Sequence, residues 1–113
     1  VVRMVVDGGV IGNPDRVRSQ MEGSAVMAVG FARTAEITAA NGRIRQSNFH
    51  EFQVARINDA PLQVNVHFVE SEALPTGVGE PGMPPVIAAL GNPLYAATGK
   101  RARELPLNKM KWT

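Results

Sequence analysis

The 113-residue sequence predicts an α+β fold, a mixed sheet with a hairpin and two main helices, and three local patterns carry that reading. Residues 14 to 32 place apolar or small side chains at helical spacing. Asn41-Gly42 stands between two extended segments as a hairpin signal, since both residues of a two-residue turn need positive φ. Leu62, Val64, Val66 and Phe68 alternate with Gln63, Asn65, His67 and Val69, the two-residue period of a strand with one buried face.

The elements follow in chain order. Val1 to Val6 reads as a strand stopped by Asp7-Gly8-Gly9. Asn13 is a good N-cap, Pro14 a good first helical residue, and Asp15 suits the positive end of the helix dipole. In the helix that follows, Val17, Met21, Ser24, Ala25, Ala28 and Ala32 share one face. From Gly23 onward the segment is apolar or small all round, which predicts burial on every side, with Gly23, Ser24 and Gly30 as points of close approach. Residues 35–40 and 43–49 form the hairpin, pairing Ala39 with Ile44 and Ile37 with Gln46. A second helix opens at Pro84-Pro85 and closes at Gly99, and Pro93 predicts a kink or a restart near Asn92. Residues 103–107 read as a final short strand.

A chain of this size with 44% apolar and 19% charged residues is an ordinary single globular domain. No apolar run reaches the length of a membrane span. Without cysteine it has no disulfide, iron–sulfur cluster or thiolate zinc site of its own. The opening strand has no initiator methionine or leader ahead of it, so the sequence reads as a piece of something longer. Lys100, Arg101, Arg103, Lys109 and Lys111 crowd the C-terminal end. Cations just past a helix terminus complement its carbonyls, and the aromatic interleaving of a single-strand binder is missing, so no nucleic-acid partner is expected.

The segment Gly77-Val78-Gly79-Glu80-Pro81-Gly82 carries the chemistry. It presents one carboxylate in a loop of glycine and proline, where bare backbone admits close approach and Pro81 fixes φ. Such a loop can position a base, held by backbone rather than by neighbouring side chains. Its letters also spell G-x-G-x-x-G, but a dinucleotide site needs a strand running into the first glycine and a helix at the last. Residues 71–76 separate the strand from Gly77, three prolines remove donors, and Glu80 would repel a phosphate. That reading is rejected.

Five blocks resemble one family in order and spacing: Asp7-Gly8-Gly9 with Asn13-Pro14 and Gln20-Met21-Glu22-Gly23; Gln46-Ser47-Asn48-Phe49-His50; the Glu80 loop through Pro84-Pro85; Ala96-Ala97-Thr98-Gly99-Lys100-Arg101; and Leu105-Pro106-Leu107. The chain is similar to the C-terminal segment of the molybdopterin-binding large subunit of the xanthine dehydrogenase and aldehyde oxidase family, above all its isoquinoline 1-oxidoreductase beta-subunit branch. Residues 1–113 would then be part of a larger molybdopterin-binding domain.

The resemblance implies a molybdenum hydroxylase that inserts water-derived oxygen into aldehydes or N-heteroaromatic rings. It implies a molybdenum–pterin cofactor, in some relatives a cytosine dinucleotide, and as partners the remainder of the large subunit and an iron–sulfur small subunit. Glu80 matches the family's general base. Gln20 matches a glutamine whose amide contacts the pterin, and Gly79 is the backbone neighbour that lets the cofactor approach. Without the resemblance, Glu80 would be a solvated loop acid and Gln20 an exposed helix residue. No residue is assigned to the metal: His50 and His67 lack the short spacing to further ligands. Taken alone, the piece is expected to be inactive, to bind no cofactor and to self-associate. The alternative is a stand-alone, non-catalytic assembly module derived from such a subunit.

Overall fold

The computed structural model describes residues 1–112. Strand β1 (Val2–Val6) leads through a glycine turn to helix α1 (Pro14–Arg33). The hairpin strands β2 (Ala39–Ala40) and β3 (Arg43–Ile44) follow, then a 3₁₀ turn at Ile57–Asp59, strand β4 (Val64–Phe68), helix α2 (Met83–Thr98) and a second 3₁₀ turn at Leu107–Lys109. The fold is α+β. Its parallel and antiparallel pairings lie in two separate two-stranded ladders, β1 with β4 and β2 with β3.

β1 and β4 run parallel in the register Val2 with Val64 through Val6 with Phe68, so Val2, Met4, Val6, Val64, Val66 and Phe68 share the face toward α1. Met21, Ala25 and Ala28 of α1 meet Met4, Val66 and Val86 in the buried core. Small residues on α1 let α2 lie close against it, and Met21, 1% exposed, fills the remaining space. Arg18 fastens α1 to β4: its guanidinium donates to the Val66 carbonyl at 2.8 Å and lies 5.1 Å over the Phe68 ring.

The local signals perform as expected. The Asn13 side chain accepts the Arg16 amide proton at 3.1 Å, with Pro14 opening the helix. Asn41 and Gly42 both have positive φ, 53° and 73°. Gly99 closes α2 in the left-handed region and its N–H bonds the Tyr95 carbonyl.

Several expectations are corrected. α1 is not buried all round: Met27 is 58% and Phe31 45% exposed, because α2, β4 and the Ile57–Asp59 turn leave its opposite flank uncovered. Gly30 does pack against Ala55, but a Cβ on Gly23 would meet nothing within 4 Å. The hairpin ladder stops after two residues on each strand. Arg45 N–H still bonds the Thr38 carbonyl, whereas Thr38 N–H goes to the Gln46 side chain at 2.8 Å, replacing a pairing of Ile37 with Gln46.

α2 runs through Pro93 without a restart, since Pro93 and Ala89 are both exposed and solvent can take the freed carbonyl. Residues 103–107 are not a strand. Pro106 has no N–H to give a ladder, and the chain turns at Leu107–Lys109, where the Trp112 indole donates to the Leu107 carbonyl at 3.0 Å.

Candidate functional site

Parallel pairing brings the ends of β1 and β4 to the same edge, where Val69 N–H continues the ladder to the Val6 carbonyl at 2.9 Å. The segments that follow the two strands therefore emerge side by side. Asp7 Oδ1 accepts the Gly9 amide proton at 3.1 Å and shapes the turn. Gly9 adopts φ +68°, and a Cβ there would fall 2.3 Å from the Leu74 carbonyl oxygen. Two backbone bonds strap the approach to the Glu80 loop onto this turn: Val10 N–H to the Ala73 carbonyl and Thr76 N–H to the Gly8 carbonyl, each 3.0 Å.

The far end of the loop rests on α1. Gly82 is buried, and a Cβ there would lie 2.1 Å from Ser24 Oγ and 3.0 Å from Met21 Sδ, so only glycine seats the start of α2 this closely. Met83 N–H then bonds the Glu80 carbonyl at 3.3 Å. Between these anchors the Gln20 amide nitrogen donates to the Gly79 carbonyl at 2.6 Å. The loop is therefore held by a side chain as well as by backbone, which corrects the sequence expectation.

Glu80 is exposed, and among the described residues its carboxylate has neither a hydrogen-bond nor an ion-pair partner. A largely apolar cavity of about 450 Å³ opens beside the loop, between β1 and the first turns of α2, with Val78, Pro81 and Gly82 in its wall. Glu80 does not line it. A Cβ added at Gly77 or Gly79 would meet nothing within 4 Å.

Thus Glu80, Gln20 and Gly79 come together within one loop and the helix beneath it. The histidines do not join them: His67 is exposed on the uncovered face of the parallel pair, and exposed His50 stands 3.8 Å from Glu51. Among the described residues no three His, Asp or Glu side chains converge as metal ligands. The strap from Gly8 and Gly9 to residues 73–76 escaped the sequence reading. Asp-Gly-Gly after a strand signals only a stop, and its partner is set by which strand β1 chooses.

The fold matches part of much longer chains among solved structures. The chain superposes with a TM-score of 0.79 on quinoline 2-oxidoreductase from Pseudomonas putida 86, at 21% identity over 91% of this chain and 14% of that one. A family model described as a molybdopterin cofactor-binding domain matches residues 1–61, and the chain belongs to that family. Isoquinoline 1-oxidoreductase subunit beta of Brevundimonas diminuta is 33% identical over 102 residues, 90% of this chain and 13% of the relative. A xanthine dehydrogenase molybdenum-binding subunit of Escherichia coli is 34% identical over 110 residues, 91% of this chain and 14% of the relative. The chain therefore spans about one seventh of the length of these relatives. No helix of the described residues is long and apolar enough to cross a membrane.

Proposed function

We propose that residues 1–113 form part of the molybdopterin-binding domain of a molybdenum hydroxylase large subunit and supply its general base, Glu80. The observation that carries this reading is an exposed, unpartnered carboxylate on a loop pinned at both ends, to the Gly8–Gly9 turn and to α1. A carboxylate without an internal partner is free to take a proton from a reacting group, and a braced loop keeps it in place while it does so.

The residues present fit a pterin. Gln20 Oε1 has no partner among the described residues and can accept from a ring N–H, while the open backbone at Gly77 and Gly79 admits a flat ligand. When bound, the molybdenum–pterin group, as the simple cofactor or its cytosine dinucleotide, would supply oxygen transfer from water and accept two electrons. This chain's part is to hold that group with Gln20 and Gly79, to orient Glu80, and to take at the Glu80 carboxylate the proton of the water-derived hydroxyl as its oxygen attacks the substrate carbon. The substrate is an aldehyde or N-heteroaromatic compound. The partners are the remainder of the large subunit and an iron–sulfur subunit.

Replacing Glu80 by Gln in the full-length protein tests the assignment. The amide keeps shape but cannot accept the proton, so turnover per bound molybdenum should fall by at least about 10²–10⁴-fold, the usual share of general acid–base catalysis. Cofactor content and fold should be unchanged. Wild-type turnover per bound molybdenum in Glu80→Gln would remove Glu80 as the base.

A further inference from the structure

Gln20 and Gly79 were each expected to face a cofactor, yet they are bonded to each other. The Gly79 carbonyl can only accept, so the Gln20 atom 2.6 Å away must be the amide nitrogen, whichever way the amide is otherwise drawn. Gln20 precedes the fully buried Met21 on α1, so its backbone is fixed by the core. The other holds on the loop are Val78 beside Gly8, the bonds of Thr76 N–H and Met83 N–H at its two ends, and Gly82 against Ser24 and Met21.

The Gly79 carbonyl and the Glu80 N–H belong to one rigid peptide plane. Fixing that oxygen fixes the plane from which the Glu80 side chain departs. We infer that Gln20 is a positioning residue for Glu80: its Nε2 sets the Gly79–Glu80 peptide, and its Oε1 stays available to a ligand donor. The inference rests on the reading of Glu80 as the base. It adds a coupling, because a donor bound at Oε1 polarises the amide and strengthens the Nε2 bond to Gly79. Occupancy of the cofactor site thereby tightens the loop that carries the base.

The test uses the full-length, cofactor-loaded protein with Gln20→Met, which keeps length and loses the donor, and Gln20→Lys, which restores a donor but not the acceptor. Amide hydrogen exchange at Thr76 and Met83, whose N–H groups close the two ends of the loop, reads its order directly. Gln20→Met should speed that exchange by roughly two- to tenfold, the span of one neutral hydrogen bond, and should lower kcat per bound molybdenum with little change in KM. Gln20→Lys should return the exchange toward wild type.

If Gln20→Met lowers only cofactor content, with loop exchange and kcat per bound molybdenum as in wild type, Gln20 is a cofactor ligand alone and the inference is overturned. Failure of the base assignment looks different. Glu80→Gln would then keep its turnover while Gln20→Met still loosened the loop.

Discussion

Gly9 lies so close to Leu74 that a Cβ on the glycine would stand 2.3 Å from the leucine carbonyl oxygen and 2.7 Å from that of Ala73. Both obstacles are backbone, which cannot swing aside as a side-chain tip can. Gly9 also has φ +68°. Gly9→Ala should therefore cost more than the roughly 1–2 kcal/mol of left-handed backbone alone, and should release residues 73–76 from the turn. Chemical unfolding, with exchange of the Val10 and Thr76 amides, would check both effects. An unchanged midpoint would show that the contact carries no weight.

Gly42 makes the complementary case. Its φ is +73°, but an added Cβ would meet nothing within 4 Å. Gly42→Val should cost about 1–2 kcal/mol, the backbone penalty without the crowding. A melting temperature identical to wild type would refute the turn assignment.

Asp59 ties the Ile57–Asp59 turn to the end of α1. Its carboxylate accepts the Arg56 N–H at 3.0 Å and the Arg33 guanidinium at 2.6 Å, and these bonds, Arg56 first, hold its pKa below the ordinary carboxylate value. A lowered folded pKa contributes stability that is fully present above the unfolded value, about 3.9, and fades as pH falls through the folded one. Asp59→Asn should be less stable than wild type near neutral pH. The two unfolding midpoints should converge as the pH drops below that range, and a gap independent of pH would exclude the ionic contribution.

The 113-residue chain by itself should self-associate. Val1, just ahead of β1, and Val5 on it are 74% and 72% exposed, and Ile57 and Leu62 are more exposed still. Apolar surface of this kind seeks a cover. Sedimentation equilibrium showing a stable monomer at tens of micromolar, roughly where weak association becomes visible, would argue against it.

What could be read from the sequence was what neighbours along the chain decide. Asn13-Pro14, Asn41-Gly42 and Gly99 specify their own backbone, and the alternation at residues 62–69 located β4 with only its ends trimmed. The buried stripe of α1 followed from spacing, but its extent did not, since Met27 and Phe31 are apolar and yet have nothing over them. Within the candidate site, the glycine–proline loop marked Glu80. The bond from Gln20 to Gly79 joins residues 59 positions apart, a separation at which composition carries no signal. The strand expected at residues 103–107 failed because Pro106 has no N–H to give a ladder and so short a segment says nothing about whether a partner edge lies within reach.

The parallel pairing has a consequence for the order of folding. Val2 finds its partner at Val64, and the two strand ends must meet before the Gly8–Gly9 turn can take hold of residues 73–76. Closing so long a stretch is slow compared with forming α1 or the hairpin, each of which needs only near neighbours. On a ribosome, β1 emerges before β4 and cannot make this pairing until β4 has cleared the exit. The loop that carries Glu80 is thus among the last parts to be organised, so a chain released before β4 is in place would keep its helix and hairpin but would have no frame on which to set the carboxylate.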